Sequence, residues 1–421
     1  MLFLYNILMH SVGFLLKIIA LFNKKIGLFI SGRKQSFQLL SDQLQPHDKT
    51  IWFHAASLGE YEQGLPVMEQ LKAKFPNHIV VLTFFSPSGY EVRKNSPIAD
   101  LTLYLPWDTK HNAKKFIRLV KPELVVFVKY EFWISYLNEL QQQHIPTYLI
   151  SGVFRQDQAF FKWYGGFYRK ALKAFNHFFV QNQNAAQLLR GLGFTNVSVS
   201  GDTRFDRVFA ISERDNQLEF VKEFKADKHL VVAGSTWEAD ERLWVTYINT
   251  SESSAKFIIA PHNIKTEQIA ALQSQIKKSV VLFSELDSVS NLSEKQVLII
   301  DNVGLLTKIY SYADLAYVGG GFGHPGVHNV LEPAVFSIPI VIGKNYTHFA
   351  EATALVELNG IVSIDSQKQF DQVVDKLLSD KKLRSEKGKI CSDYVLAQKG
   401  ATQIIVDYLV NKEASKNLTE I

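Results

Sequence analysis

Cysteine is nearly absent from this 421-residue chain, because Cys391 is the only one. A single thiol cannot form an intrachain disulfide, and it excludes a zinc site built from several cysteines. Both exclusions suit the reducing cytoplasm. Long runs of Lys and Arg are also lacking, and the formal net charge is only +5. Nucleic-acid binding calls for a concentrated basic stripe, so this mild excess fits an anionic substrate or an anionic membrane surface better.

The remaining composition is that of a folded protein. Hydrophobic residues make up 47% of the chain and charged residues 21%, which excludes wholesale disorder. The length is too great for one ordinary hydrophobic core and suits two domains of about 200 residues each.

The first 22 residues are almost wholly apolar and are interrupted only by Asn6, His10, Ser11 and Lys17. The length just suffices for a spanning helix, but a lysine inside it favours an interfacial one. We therefore predict a membrane-associated segment over residues 1–30, and a first core helix is the alternative. A basic cluster follows, made of Lys24, Lys25, Arg33 and Lys34. If the apolar segment spans the membrane, this cluster places the rest of the chain on the cytoplasmic side.

After this segment, short runs rich in Val, Ile and Leu alternate with helical stretches. Seven such runs extend from Thr50–Ala55 to Val197–Ser200, and seven more from Leu230–Ala233 to Gly360–Ile364. Near-continuous apolar strands between helices indicate parallel sheets covered on both faces. The pattern predicts two doubly wound α/β domains facing a central cleft. The predicted boundaries are 31–210 for the first domain, 211–228 for a charged linker, 229–410 for the second domain and 411–421 for a flexible tail.

Two loops of the first predicted domain follow its strands directly and are rich in small or hydroxylated residues. In His54–Glu60, small residues and a glycine permit close approach of backbone to a ligand. Glu60 begins the next helix, where it either accepts a proton from a substrate hydroxyl or only complements the helix N-terminus. The segment Phe84–Gly89 is either a platform of hydroxyl donors for phosphate or sugar, or an ordinary turn.

Two further loops of this domain bring charge to strand ends. In Lys129–Trp133, Glu131 stands beside two aromatics, which is typical either of a sugar platform or of a plain strand-to-helix junction. In Gly201–Asp206, Arg204 is a candidate for neutralising phosphate or carboxylate. A surface pair of Arg204 with Asp206 is the alternative.

The most informative motif lies in the second predicted domain, at residues 319–333. Five glycines and two histidines follow a buried strand and lead into a helix, which predicts an anion site made of backbone N–H groups. Glu332 falls in the first helical turn, where it can accept hydrogen bonds from ribose hydroxyls. Three shorter loops, at Gly234–Trp237, Pro261–Asn263 and Asp301–Leu305, are expected to line the same nucleotide-sized site.

A metal ion is not expected in this site. The loop is not a Walker A loop, because no Gly-Lys-Ser/Thr follows its glycines. His324 and His328 have the spacing of metal ligands, but no third ligand is near them and no Asp-x-Asp motif occurs nearby. The sequence therefore favours a donor site that needs no metal or other cofactor.

The ordered set of these motifs resembles the 3-deoxy-D-manno-octulosonic acid (Kdo) transferases of Gram-negative lipid A assembly. The resemblance extends from the apolar N-terminus to about Ile364. It implies a GT-B glycosyltransferase fold, CMP-Kdo as donor, a lipid A precursor (lipid IVA) as acceptor, and a place on the cytoplasmic face of the inner membrane. No obligate protein partner is implied. The motifs that carry it are HAASLGE, FFSPSG, KYEFW, SGDTRFD, AGSTWEADE, APH, DNVGLL and GGGFGHPGVHNVLEPA.

By position, the resemblance assigns roles to residues of both domains. Glu60 matches the general base that deprotonates the acceptor hydroxyl, while Glu131 and Arg204 match positions that stabilise the transition state. The candidate donor-binding residues, from the loops and the resemblance together, are Ser235, Thr236, Pro261, His262, Val303, Gly304, Leu305, Gly320, Gly321, His328, Asn329, Val330, Leu331 and Glu332.

The chain departs from the family pattern at four positions. Lys129 replaces the first acid of Glu-Thr-Glu-Leu-Trp, and Arg204 replaces a lysine, which keeps the charge. His262 replaces the arginine of Pro-Arg-His, and Leu305 replaces the acid of Met-Gly-Glu. These losses of charge leave two other hypotheses open. One is a GT-B enzyme acting on a UDP-sugar as a transferase or an epimerase, and the other is a GT-B binding protein with impaired catalysis.

Overall fold

The computed structural model describes residues 1–323 and 326–417, and it divides the chain into two units. The first unit comprises Met1–Arg207 with Lys399–Ile421, and the second comprises Val208–Gln398. Each unit is built on a seven-stranded parallel sheet with helices on both faces. The predicted α/β class with two doubly wound domains is confirmed.

The sheet of the first unit has the strand order β3-β2-β1-β4-β5-β6-β7. Its strands are β1 (Thr50–Ala55), β2 (Ile79–Phe84), β3 (Leu101–Tyr104), β4 (Pro122–Val128), β5 (Thr147–Gly152), β6 (His177–Val180) and β7 (Val197–Val199). Its helices are α1 (Leu2–Ile19), α2 (Lys24–Gln43), α3 (Leu58–Lys74), α4 (Pro87–Arg93), α5 (Lys110–Val120), α6 (Ile134–Gln142), α7 (Gly166–Leu172), α8 (Gln183–Gly191) and the start of α9 (Thr203–Ser212), with a 3-10 turn at Ala159–Phe161.

The sequence of β1 explains why this sheet is covered on both faces. Successive side chains of a strand point to opposite faces. Accordingly, Ile51 and Phe53 enter one hydrophobic core, while Trp52 between them enters the other. All six residues of β1 are buried. The strand order reverses between β1 and β4, and ligands of doubly wound sheets bind at such switch points, outside the carboxyl ends of the strands.

The sheet of the second unit has the strand order β10-β11-β9-β8-β12-β13-β14, and its switch point lies between β8 and β12. Its strands are β8 (Leu230–Thr236), β9 (Lys256–Pro261), β10 (Val280–Leu282), β11 (Val297–Ile299), β12 (Leu315–Val318), β13 (Ile340–Gly343) and β14 (Ile361–Ile364). Its helices are α10 (Glu219–Lys225), α11 (Glu238–Thr250), α12 (Thr266–Gln275), α13 (Leu306–Tyr310), α14 (Leu331–Ala334), α15 (Ala350–Glu357), α16 (Gln367–Ser379) and α17 (Lys381–Gln398), with 3-10 turns at Phe283–Ser288 and Leu292–Glu294.

The segment predicted as a linker is partly folded. Helix α10 lies inside residues 211–228, and its Val221 and Phe224 are fully buried. Lys225 donates to the carbonyl oxygen of Tyr312 at 2.7 Å and pairs with Asp314 at 2.9 Å, which attaches α10 to the second unit. The charges along this segment concealed a short amphipathic helix.

The predicted C-terminal boundary is wrong, because the chain returns to the first unit. Helix α18 (Ala401–Asn417) continues through the predicted tail, of which residues 418–421 lie outside the described residues. Its Ile405, Val406 and Leu409 enter the same core as α3. These core residues all stand before position 411, so the polar sequence of the predicted tail did not show that the helix continues into it.

Asp206 fastens the start of α18 to α9. Its carboxylate accepts hydrogen bonds from the backbone N–H of Gly400 at 2.6 Å, and from the backbone N–H and hydroxyl of Thr402 at 2.7 and 2.8 Å. This is the bonding of a helix N-cap, supplied from a distant part of the chain. The alternative that paired Asp206 with Arg204 on the surface is therefore not what the structure shows.

We expect Asp206→Ala to lower the free energy of unfolding of the first unit by about 2 kcal/mol, near the upper end for loss of a helix cap. Chemical denaturation followed by circular dichroism measures the change. Asp407→Ala is the control, because that carboxylate bonds an exposed glutamine one turn away within α18. Equal effects of the two substitutions would contradict the capping role.

Helix α1 lies against the first unit along one side and exposes apolar residues on the other. Tyr5 donates to Asp108 at 2.5 Å, the indole of Trp107 donates to the carbonyl of Met9 at 2.6 Å, and Gly13 adjoins the same indole. No residue of α1 is buried. Within the described residues α1 is the one helix long and apolar enough to cross a membrane, with a mean hydropathy of 1.7. The alternative of a core helix is therefore wrong.

Candidate functional site

Two loops of the first unit meet at its switch point. The loop after β1 leads into α3 and carries Glu60, and the loop after β4 carries Lys129 and Glu131. The ammonium group of Lys129 lies 3.8 Å from a carboxylate oxygen of Glu60, so the structure brings the two predicted motifs together. The backbone of Lys129 has a φ of 72°, a left-handed conformation that turns the chain sharply after the strand.

Glu60 stands in the first turn of α3 and is buried, with a relative exposure of 6%. The hydroxyl of Ser57, the residue before α3, donates to one of its carboxylate oxygens. The other oxygen faces Lys129. A carboxylate has about four lone-pair sites, so Glu60 retains the capacity to accept a proton. This is compatible with the predicted general base, and also with a role at the helix N-terminus.

Glu131 belongs to a buried network that the sequence did not reveal. The indole N–H of Trp133 donates to Glu131 at 2.9 Å and to Nε2 of His54 at 2.9 Å. Because His54 accepts at Nε2, its proton lies on Nδ1, from which it donates to Thr83 at 2.8 Å. His54 is fully buried. It therefore fixes the ring of Trp133 and, through that ring, the carboxylate of Glu131.

Arg204 lies at the start of α9 and pairs with the neighbouring Asp202. Its Nε and a terminal nitrogen lie 2.9 and 2.8 Å from one oxygen of Asp202. The other oxygen accepts from the backbone N–H of Arg204 and, at 3.1 Å, from the side chain of Gln63. Gln63 is one helical turn beyond Glu60 on α3, so the third predicted catalytic residue is attached to the helix that holds the first.

The loop containing Phe85 completes this side of the first unit. The ring of Phe85 stacks on Trp133 with 4.4 Å between centroids. Ser86, in the same loop, is the N-cap of α4, and its side chain accepts a hydrogen bond from the backbone N–H of Ser88. Gly89 is required here, because an added Cβ would lie 3.0 Å from the backbone carbon of Ser57. The segment therefore acts as a close-packed support for the loop that carries Glu60.

The predicted donor residues of the second unit form connected groups. His262 donates its backbone N–H to the carbonyl of Thr236 at 2.8 Å, which joins the loops after β9 and β8. The hydroxyl of Thr307 donates to Glu332 at 2.9 Å, which joins the segment after β11 to α14. The predicted residues at 303–305 precede Thr307 in the chain; Val303 is exposed and Gly304 has a φ of 97°.

Backbone packing explains the glycines at 319–321. The N–H of Gly319 donates to the carbonyl of Gly234 at 2.9 Å, so the loop begins in contact with the end of β8. Gly320 has a φ of 93°, which disfavours other residues. An added Cβ at Gly321 would lie 2.6 Å from the backbone nitrogen of Gly343. His324 lies outside the described residues, so the predicted spacing of two histidines stays a prediction.

Asp240 is a site residue that sequence reasoning missed. It is fully buried in α11 and accepts from the backbone N–H of Gly320 at 2.8 Å, from that of Trp237 at 2.9 Å and from the hydroxyl of Tyr317 at 2.6 Å. Burial raises its pKa, against the lowering effect of these donors. Asp240 thus holds two of the predicted donor loops in place. The only sequence signal was an acid three residues after Trp237, as in a capping box.

Three aromatic rings stack beside the glycine-rich loop. The rings of Trp237 and His262 are 4.7 Å apart, and those of His262 and His328 are 4.5 Å apart. The indole N–H of Trp237 donates to Nε2 of His328 at 2.8 Å, so His328 carries its proton on Nδ1. Burial lowers the pKa of His328 to about 4, with a smaller effect from His262. His328 is therefore an uncharged hydrogen-bond donor at neutral pH.

Glu332 lies in the first turn of α14, as predicted, but that helix has only four residues. A single turn contributes little helix dipole, so any anion at this loop depends on individual backbone N–H groups rather than on a long helix. Glu332 already accepts from Thr307 and, at 3.0 Å, from the side chain of Asn329. These bonds hold its carboxylate in a fixed orientation.

Glu241, next to this site, makes the free energy of unfolding depend on pH. Burial raises its pKa to about 7, the hydrogen bond from Thr236 acts the other way, and Asp240 and Glu238 raise it further. The folded protein therefore holds a proton here that the unfolded chain releases near its ordinary pKa. The stability contributed by this proton is fully present below about pH 4.5 and is lost as pH rises through about 7.

We expect the unfolding free energy of the wild type minus that of Glu241→Gln to fall as pH rises from about 4.5 to about 7. Denaturation of both proteins at several pH values measures this difference. Subtracting the value of the glutamine variant at each pH removes the contributions of all other titrating groups. A difference that stays constant with pH would show that Glu241 titrates normally.

Sequence comparison shows which known proteins this chain resembles. Residues 31–207 match the family model of 3-deoxy-D-manno-octulosonic-acid transferase (kdotransferase). The 3-deoxy-D-manno-octulosonic acid transferase of Haemophilus influenzae is 24% identical over 380 residues, which cover 86% of this chain and 87% of that protein. The enzyme of the same name from Aquifex aeolicus is 29% identical over 303 residues, covering 71% and 76%.

Solved structures confirm the GT-B fold class. A UDP-GlcNAc 2-epimerase from Neisseria meningitidis, bound to UDP-GlcNAc, matches with a TM-score of 0.60 at 15% identity and covers 86% of this chain and 100% of that one. MurG of Acinetobacter baumannii matches with a TM-score of 0.54 at 14% identity, covering 86% and 99%. At such identities the likeness establishes the fold alone. By the family model over residues 31–207 and by the sequence relatives, the chain is similar to the Kdo transferases, a family of glycosyltransferases.

Proposed function

We propose that this protein transfers Kdo from CMP-Kdo to a lipid A precursor, lipid IVA, in lipopolysaccharide assembly. One observation carries the proposal. The family match at residues 31–207 covers the stretch whose switch point holds Glu60 beside Lys129, with Glu131 fixed by Trp133. Carboxylates at a switch point are placed where substrates of doubly wound sheets bind. The first unit would bind the acceptor, and the second unit the donor.

The proposed reaction is an inverting transfer with Glu60 as general base. Glu60 takes the proton from an acceptor hydroxyl, and the oxygen forms a bond to the anomeric carbon of Kdo. The bond from that carbon to the phosphate oxygen breaks, and CMP leaves with the electron pair. Arg204 and Glu131 would stabilise charge in the transition state, which requires groups that are already oriented. The hydrogen bonds of Asp202 and Trp133 supply that orientation.

The proposed donor site lies on the loops of the second unit. Backbone N–H groups of the glycine-rich loop (residues 319–330) would bind the phosphate of CMP, and Glu332 would accept from the ribose hydroxyls. The uncharged Nδ1–H of His328 adds a donor of fixed direction. The proposal needs no metal ion, and among residues 1–323 and 326–417 no group of three or more His, Cys, Asp or Glu side chains is placed to hold one.

We also propose that α1 lies in the plane of the inner membrane, at its cytoplasmic face. Its contacts through Tyr5, Met9 and Gly13 extend over about two turns, which attaches it lengthwise to the first unit rather than leaving it free to span. Phe3 and Phe14 are among its exposed apolar residues, and the exposed Phe22 follows it. An interfacial helix with such residues would bring the enzyme to a lipid acceptor.

Calorimetric titration with CMP and with UDP tests the donor assignment. A Kdo transferase should bind CMP with clear heat and bind UDP far more weakly. The reverse preference would favour the rival GT-B functions, a UDP-sugar transferase or an epimerase. Trp237→Phe serves as a probe of the site, because it keeps an aromatic ring and removes the hydrogen bond to His328. The variant should bind CMP more weakly than the wild type does.

A further inference from the structure

An apolar cavity of about 200 Å³ opens beside the N-terminal helices of the first unit. Helix α1 contributes Leu16, helix α2 contributes Ile26 and Phe29, and the segment at the start of α4 contributes Phe85, Ser86 and Pro87. One hydroxyl is the only polar side-chain group in this lining. The cavity is smaller than the pockets that take nucleotides or drug-sized ligands, which start at about 300 Å³. Its size and lining suit a narrow hydrocarbon group.

The walls of this cavity are fixed by a buried arginine. Arg33 has a relative exposure of 7%, although the sequence placed it in a basic cluster with Lys34. Its guanidinium lies 3.6 Å from the ring centroid of Phe29 and 4.8 Å from that of Phe85. It donates to the carbonyl oxygens of the same two residues, at 2.8 and 2.6 Å. Both aromatic walls are therefore held in position before any ligand arrives.

The cavity adjoins the loop that carries the proposed base. The backbone N–H of Ser86 donates to the carbonyl of Ala56 at 2.7 Å, and that of Phe85 donates to Ala55 at 3.3 Å. Ser57 follows directly and bonds Glu60. Phe85 also stacks on Trp133, the partner of Glu131. A group bound in the cavity would therefore lie one loop away from the carboxylates of the switch point.

The two helices that line the cavity also carry exposed apolar side chains and exposed lysines. On α1, Ile18 and Ile19 are each 44% exposed. Exposed lysines at positions 17, 24 and 34 belong to the same two helices. Apolar side chains accompanied by lysines match a lipid with an anionic polar part.

We propose that this cavity binds one fatty acyl chain of the lipid acceptor and so positions the acceptor sugar at Glu60. The inference rests on the proposed function and adds to it a specificity site for the acyl part of the substrate. The methyl end of the chain lies in the cavity between Leu16 and Phe29, and its polar end leads out toward the loop that carries Glu60. The energy of burying methylene groups would then be used to hold the acceptor rather than only to hold the enzyme on a membrane.

The test compares two tryptophan substitutions on α1 in the full-length protein in detergent micelles. Leu16→Trp fills the cavity, and Leu15→Trp places the same bulk on the exposed side. Each protein is assayed with CMP-Kdo and either the acylated lipid A precursor or its deacylated form. For Leu16→Trp we expect KM for the acylated acceptor to rise at least tenfold, since the loss of burial for two methylenes already corresponds to about that factor. KM for the deacylated acceptor should stay at the wild-type value, and Leu15→Trp should match the wild type with both.

Ile26→Trp is a second filling variant in case Leu16→Trp unfolds, and it should give the same selective rise in KM. Photo-cross-linking with an acceptor that carries a diazirine in one acyl chain should label α2 near Phe29, and the label should be lost in the filling variants. Equal KM changes for the two acceptors, or equal effects of Leu15→Trp and Leu16→Trp, would overturn the acyl site while leaving the proposed function in place. Absence of Kdo transfer by the wild type to either acceptor would overturn both.

Discussion

Glu60→Gln should lower kcat about 10²–10⁴-fold, the usual loss when a general base is removed. Glutamine keeps the size of the side chain and can still accept the hydrogen bond from Ser57, but it cannot take a proton. Because the change removes the acceptor of the hydroxyl proton and, besides it, only the 3.8 Å pairing with Lys129, KM for both substrates should change much less than kcat. Steady-state rates of Kdo transfer, with unfolding curves of both proteins, measure the effect.

Glu62→Gln is the matched control for this experiment. Glu62 lies two residues further along α3, and its carboxylate pairs with Arg93 at 2.9 Å and Arg207 at 3.0 Å. Its loss should lower stability modestly and leave kcat within a few-fold of the wild type, since ion pairs of this partly exposed kind contribute about 0–1 kcal/mol. A folded Glu60→Gln protein with normal turnover would show that Glu60 only complements the helix N-terminus.

Gly321→Ala should abolish most donor binding. The added methyl group would lie 2.6 Å from the backbone nitrogen of Gly343, and neither backbone can move without shifting its neighbours. Overpacking of this kind costs about 1–3 kcal/mol. Relief of the clash displaces the glycine-rich loop from its contacts with Gly343 and Asn345, whose N–H donates to the carbonyl of Gly321 at 2.8 Å. CMP affinity measured by calorimetry should fall tenfold or more, since about 1.4 kcal/mol corresponds to one factor of ten.

Gly191→Ala is the control for the change of residue type, because no heavy atom lies within 4 Å of its added Cβ. It should bind CMP with wild-type affinity. If Gly321→Ala also kept that affinity while folded, the glycine-rich loop would not be part of the donor site.

The strands and the switch points were predictable from the sequence for a simple reason. A buried parallel strand is apolar along almost its whole length, so runs such as Thr50–Ala55 and Ile79–Phe84 mark strands to the residue. The loops that follow these runs then fall at the carboxyl edge of the sheet without further information. Glu60 could be named on that basis, and the structure places it beside Lys129.

Buried polar groups could not be predicted in the same way. Arg33 reads as part of a basic surface cluster, and only the packing of α2 against Phe85 buries it. Asp240 reads as one of several acids at a helix start, and its partner Gly320 lies 80 residues away in the chain. Asp206 bonds Thr402 at a separation of 196 residues. Such partners are chosen by tertiary structure, which residue patterns along a single helix or strand do not encode.

The central claim is tested most directly by incubating the purified protein with CMP-Kdo and lipid IVA and recording the mass of the lipid product. We predict an acceptor heavier by one or more Kdo residues, with release of CMP in equal number, and no product when a UDP-sugar replaces CMP-Kdo. An unchanged acceptor mass with CMP-Kdo, or transfer from the UDP-sugar instead, would contradict the assignment of this protein as a Kdo transferase acting on lipid A.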